Sequence, residues 1–256
     1  MQTYSDSQKT FVSRKALAMC TVVLLAVVAL SRLASIGVSA AQLVLASNNP
    51  ETAATALGPG DADVSEMPGG NFQVIVLLLY STVAIFGVIV FIATAIVFLI
   101  WENRAYKNLS PLGVPRPDFS SGWVVGSWFV PFLNLIRPYE IVKYIWDKSD
   151  PETVSEGGGH YAAGGNFTLK AWWGFWLASN IVDRFFTRIY RNAENLEDHV
   201  AAGWADIFVS SLFIIAACLA IAVVRDITSR QEQRSMRLMD ASQQQFWSAS
   251  ASPNLT

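Results

Sequence analysis

The sequence predicts an all-α integral membrane protein of four transmembrane helices plus one broken, re-entrant or interfacial helix; five spans is the alternative. Three observations point there. The chain is 52% hydrophobic and only 15% charged, against about 25% charged in a soluble domain, and the shortfall lies in runs long enough to cross a bilayer. Lysine and arginine are spread unevenly over the segments that join those runs. One interval, Trp101 to Trp146, mixes tryptophan, proline and charge with apolar residues and fits no plain span.

In chain order, 1–15 reads as a cytoplasmic N-terminus carrying Lys9, Arg14 and Lys15, and 16–45 as transmembrane helix 1. The front of that run also fits a cleaved signal over 1–40, with Val38-Ser39-Ala40 as a small-residue site. Apolar character continues past the site to Leu45, which favours a retained helix. Residues 46–71 form an external acidic linker with Glu51, Asp61, Asp63 and Glu66 and no Lys or Arg. Residues 72–100 carry no charge, and at about 1.5 Å per residue they exceed a hydrocarbon core of about 30 Å. The signature region, 101–168, is cytoplasmic or re-entrant; transmembrane helices 3 and 4 follow at 169–190 and 202–224. The basic cytoplasmic tail, 225–256, is expected to fray after about residue 240, where Ser and Gln take over.

The charge count decides between the topologies. With four spans, fourteen Lys and Arg fall on the cytoplasmic side, and only Arg184, Arg188 and Arg191 near the outer helix ends. With 123–146 as a fifth span the division is nine against six. The positive-inside rule prefers the first. Pro131 and Pro138 would each remove a helix donor from a fifth span, and Arg137, Glu140 and Lys143 would each be costly inside the bilayer.

Several residues are candidates for function. Trp101, Arg104 and Asn108 stand at i, i+3 and i+7 on one helix face beyond the second span. Trp101 suits an aromatic belt, Arg104 a lipid phosphate or the Trp101 ring, and Asn108-Leu-Ser-Pro111 a helix end. A ligand or partner site there is the sharper alternative. In the broken segment Pro131 frees carbonyls that Asn134 is placed to satisfy. Arg137, Glu140, Lys143 and Asp147 form an alternating ladder, either a solvated face or the lining of a polar pocket. Arg32, Asp183, Arg184 and Asp206 fall toward the outer half of a four-span bundle, where they pair with one another or snorkel to headgroups. Trp172, Trp173 and Trp176 read as an aromatic belt.

Cys20 and Cys218 lie in apolar runs and are expected to stay unpaired, while His160 and His199 lack zinc-ligand spacing, so no metal is expected. No nucleophile–base motif, Walker sequence or dinucleotide fingerprint is present, so neither an enzyme nor a cofactor is expected. A net charge of −2 argues against nucleic acid.

The motifs W-x-x-R-x-Y-x-N-L (Trp101, Arg104, Tyr106, Asn108 and Leu109) and G-W-x-x-x-x-W-F-x-P-x-x-N-L-x-x-P (Gly122 to Pro138, including Trp128) stand out. With the Trp172-Trp173 pair and the tail Val224-Arg-Asp-Ile-Thr-x-Arg-Gln231, they resemble a bacterial membrane family catalogued as domain of unknown function 4328. The resemblance covers roughly 72–235; it implies a multi-pass membrane protein and brings no activity with it. The function expected is a non-enzymatic membrane binding, assembly or lipid-contacting module of the bacterial inner membrane. Its partners would be membrane lipids, a second copy or another membrane protein. The alternative is a small oligomeric transporter or channel subunit with Asn134, Arg137 and Glu140 lining a wet cavity.

Overall fold

The structure, a computed structural model, describes residues 11–48, 70–114, 118–152, 167–191 and 195–250. Most of the acidic linker, the turn 115–117, the Gly157-Gly158-Gly159 loop and 192–194 lie outside the described residues. Among the described residues there are six α-helices: α1 (Lys15–Asn48), α2 (Gly70–Lys107), α3 (Ser121–Gly126), α4 (Arg137–Lys148), α5 (Phe167–Tyr190) and α6 (Leu196–Ser250), with a short 3-10 turn at Leu133–Leu135. No strand occurs among the described residues.

Among the described residues three helices are long and apolar enough to cross a membrane: Lys15–Asn48, the Ser81–Lys107 part of α2, and Leu196–Ser248. Helix α5, at the position of the expected third span, is not among them; Lys170, Asn180, Asp183, Arg184 and Arg188 interrupt its apolar surface. Helix α6 is longer than the sequence suggested. It runs 55 residues, to Ser250 rather than fraying after about 240, because neither Gly nor Pro follows Gly203 until Pro253 and its Arg, Gln, Met and Ala are good helix formers. In the signature region, α3 has six residues and α4 twelve. Twelve residues rise about 18 Å against a hydrocarbon core of about 30 Å, so neither α3 nor α4 is long enough to cross.

The chain divides into two compact units, and α1, α2 and α6 each contribute a segment to both. The first comprises Met1–Val22, Ile96–Asn166 and Ala222–Thr256. Its buried residues include Trp101, Leu109, Leu112, Ile141, Ile145, Val223, Val224 and Ile227. The second comprises Val23–Ala95 and Phe167–Ile221. In it α6 buries Ala205, Val209, Phe213, Ala216, Ala217 and Ala220, a stripe of mostly small side chains of the kind that lets membrane helices approach closely. The approach is tight at Gly203, where a Cβ would lie 3.0 Å from Leu43 Cδ2.

Candidate functional site

The first unit holds the signature region and is assembled largely by backbone carbonyls meeting side chains of α6. Helix α2 ends after Lys107, and the Asn108 N–H closes its last turn on Arg104 O at 3.0 Å. The chain then reverses through Gly113, whose φ of +83° suits glycine. Across this reversal Asn108 Nδ2 donates to Val12 O at 3.2 Å and to Gln231 Oε1 at 3.4 Å. Gln231 Nε2 donates to Ala105 O at 2.8 Å and Ser149 Oγ at 3.2 Å. Arg234, buried, donates through Nε to Leu112 O at 2.8 Å and through Nη1 to Asp150 O at 2.7 Å. Arg230 reaches Asp150 Oδ2 at 3.4 Å with its guanidinium 4.5 Å from the Trp146 ring centroid, and Arg237 donates to Pro151 O at 3.1 Å. Lys15 lies 3.6 Å from Glu232, whose carboxylate also accepts from the Ser13 hydroxyl. One clamp thus ties the start of α1, the end of α2, the end of α4 and the distal half of α6.

Beside it lies a fully buried carboxyl group. Glu102 Oε2 accepts from Trp128 Nε1 at 2.8 Å, while Oε1 has no partner. Phe98 packs edge-on to Trp128, centroids 5.8 Å apart, and tilted against Trp101 at 5.4 Å. Trp101 itself is 1% exposed and its Nε1 donates to Thr228 Oγ1 at 3.4 Å. It is therefore a core residue rather than a belt residue, with Asn108 buried on the same side and Arg104 exposed. Seven residues bring Trp101 and Asn108 almost into register on a helix, whereas three leave Arg104 about 60° away, enough to cross from packed to open surface. Tyr106, the other signature residue of this helix, is buried; its hydroxyl donates to Phe119 O and accepts from the Phe119 N–H at 2.7 Å. Its ring, with those of Phe119 and Tyr144, forms an aromatic cluster with centroids 5.7–6.5 Å apart.

Between Asp118 and Arg137 the chain carries no charged residue. Helix α3 starts where Ser120 Oγ accepts from the Trp123 N–H at 3.4 Å, and ends by Ser127. After Pro131 the backbone makes a γ-turn: the Leu133 N–H donates to Pro131 O at 2.8 Å around Phe132 at φ 66°, ψ −40°, a rare and strained turn for a residue with a side chain. The Asn134 N–H closes the following turn on Val130 O at 3.0 Å. Phe132 is 84% exposed and Phe129 71%. Pro138, buried, sits in the first turn of α4, where its missing N–H costs nothing. The ladder then forms as two local pairs, Arg137–Glu140 at 2.9 Å and Lys143–Asp147 at 2.7 Å; the Asp147 carboxylate raises the Lys143 pKa above its usual 10.5.

In the second unit no ion pair joins Arg32, Asp183, Arg184 and Asp206, contrary to the pairing considered from sequence. Arg32 lies over the Phe213 ring at 4.4 Å, and Asp206 Oδ2 accepts from Ser39 Oγ at 2.7 Å. A ring face and a hydroxyl replace the missing counter-ions. Trp172 and Trp173 are buried, and Trp173 stacks on Trp176 at 4.8 Å.

The sequence reading passed over Glu102, Ser149, Asp150 and the structural role of Gln231 and Arg234. Among the described residues no group of three or more His, Cys, Asp or Glu is placed to hold a metal ion. The model of the family that the motifs resemble, described as domain of unknown function (DUF4328), matches residues 76–229. No curated protein and no solved structure matches the chain.

Proposed function

The chain belongs to the family of domain of unknown function 4328, and from that premise and the geometry above we propose that it is a four-pass, non-enzymatic module of the bacterial inner membrane. Residues 101–168 would form its working surface at the cytoplasmic boundary, where it contacts lipid or an assembly partner. One observation carries this: the clamp joins residues 12–15, 105–112, 146–151 and 230–237 by direct bonds. Segments so joined share one side of a membrane, so an even number of crossings must separate Lys107 from residue 230. The start of α6 supplies one and α5, despite its charges, the other. These segments hold seven of the eighteen Lys and Arg, and the side they share in this reading holds fourteen, which favours the cytoplasmic side. The polar groups of the clamp are spent on one another, leaving an apolar turn and a charged ladder at the surface rather than a nucleophile with its base.

Reporter fusions after residues 60, 160, 196 and 240 test this. The first and third are expected outside and the second and fourth inside; opposite sides for 160 and 240 would end the four-pass reading. The second reading, a small oligomeric transporter, is favoured by Glu102, whose buried carboxyl keeps one oxygen open, as residues of an ion pathway do. It predicts ion flux into proteoliposomes that Glu102→Gln abolishes, and no flux from the native protein would dismiss it.

A further inference from the structure

We infer that the uncharged segment 119–136 is a lipid-inserting finger, seated in the acyl layer of the leaflet beside the end of α2 and led by Phe129 and Phe132. The inference rests on the placing of 101–168 at the membrane boundary and names its partner there: acyl chains, not headgroups. Three observations support it independently.

The first is composition on the surface. Trp123, Phe129, Phe132, Leu133, Leu135 and Ile136 are all among the exposed large apolar residues, within a stretch without a single charge. A contiguous apolar patch of this kind is seldom left facing water. Charge resumes at Arg137, where the paired ladder of α4 begins.

The second is depth. At the base of the finger Trp128 is bonded to Glu102 at 2.8 Å and packs on Phe98 with centroids 5.8 Å apart. Phe98 belongs to the charge-free run and Glu102 is the first charge after it. The base of the finger is therefore fixed at the level where the spanning part of α2 leaves the hydrocarbon, which puts the turn beside lipid.

The third is the γ-turn. At φ 66° a glycine would relieve the strain, yet the position carries a phenylalanine that is 84% exposed. Strain retained at a single residue is expected where its side chain has work to do, and here the turn lifts the ring clear of the fold. Irregular backbone at membrane depth is tolerated when its polar groups are bonded internally, as the N–H groups of Leu133, Asn134, Leu135 and Ile136 are.

The test uses the full-length protein with Cys20 and Cys218 replaced by Ala and a single cysteine at 129, 132 or 136, labelled with an environment-sensitive fluorophore. The protein is reconstituted in phosphatidylcholine–phosphatidylglycerol vesicles containing lipid brominated either near the headgroup end or near the tail end of its acyl chains. A label at 140 serves as the solvated control. Labels at 129 and 132 are expected to shift to the blue and lose most of their intensity to the shallow bromines, less to the deep ones, and little to aqueous iodide. The label at 140 should show the reverse. Iodide quenching at 129, 132 and 136 alike would overturn the inference. So would quenching by neither agent together with cross-linking between copies at 132, which would mean that a second chain covers the finger. If the label at 132 prevents folding, those at 129 and 136 still report. Quenching reads depth and not side, whereas the topology reporters read side and not depth, so failure of the finger and failure of the four-pass reading are distinguishable.

Discussion

Arg234→Met is the most informative single substitution in the clamp. It keeps length and apolar stem while removing two donors, Nε to Leu112 O at 2.8 Å and Nη1 to Asp150 O at 2.7 Å, from a buried site. Hydrogen bonds to a charged group contribute about 1.5–3 kcal/mol each. Allowing for the packing that the methionine stem recovers, the loss should be about 3–4 kcal/mol. At about 1.4 kcal/mol per tenfold, opening of the clamp becomes on the order of 100- to 1,000-fold more frequent. Amide hydrogen exchange on the purified protein in detergent reads this locally. The Val114 N–H, bonded to Leu109 O at 3.0 Å, and the Ser149 N–H, bonded to Ile145 O at 3.0 Å, should lose protection, whereas α5 amides in the second unit should not. Arg234→Lys should restore only part, since one ammonium has no planar fork for two separated carbonyls. A change below about 0.5 kcal/mol, the scale of an ordinary surface substitution, would refute the view that α6 holds the signature region through this residue.

Three further outcomes follow from the geometry. Glu102→Gln keeps an acceptor for the Trp128 N–H and should change thermal stability little, whereas Glu102→Leu removes that acceptor and should cost about 1–3 kcal/mol; equal behaviour of the two in detergent melts would count against the bond. Gly203→Val places branched carbon where even a Cβ would be 3.0 Å from Leu43 Cδ2, so it should destabilise by about 1–3 kcal/mol, and Leu43→Ala should suppress much of that loss. Lys143 has its pKa raised by Asp147, so the stability this pair contributes is fully present below the unfolded pKa and is lost as pH rises through the higher folded one. Its solvent exposure keeps the effect below about 1 kcal/mol, and a wild-type minus Lys143→Gln stability difference that grew with alkalinity would contradict the assignment.

Legibility followed the range over which each signal acts. The apolar run before Trp101, the helix end at Asn108 and the break at Pro131 were all readable because proline, asparagine and unbroken apolarity act locally. So was the alternating order of Arg137, Glu140, Lys143 and Asp147, which the fold resolves into two pairs each about one helical turn apart. Helix α2, by contrast, is apolar on every side, so its sequence carries no phase. Only the fold picks out Val90, Thr94 and Phe98 as the buried stripe, and four residues further on that stripe lands on Glu102. Without the phase, Glu102 reads as a boundary charge and Trp101 as a belt residue. Gln231 and Arg234 were hidden for another reason. Their acceptors are mainly the carbonyls of Ala105, Leu112 and Asp150, and a carbonyl leaves no mark in the sequence. The γ-turn escaped because phenylalanine is among the residues least expected at positive φ.

In the proposed four-pass arrangement the tail arginines would act at two stages of the protein's formation, and the two can be separated. During insertion they weigh on topology as simple charges near a helix end, whatever they later bond to. In the folded chain Arg230, Arg234 and Arg237 are committed to the 150–151 corner, while Arg225 is exposed. Arg225→Gln therefore lowers the charge bias without touching the clamp, and Arg234→Lys keeps the charge while loosening the clamp. If orientation and clamp were one effect, both substitutions would disturb both readouts. The proposed fold requires instead that Arg225→Gln leave exchange at Val114 and Ser149 unchanged, and that Arg234→Lys leave the reporter after residue 240 on its original side. Those two outcomes together would support the proposed four-pass arrangement from two directions: a charge bias that acts before packing, and a set of carbonyl bonds that exists only after it.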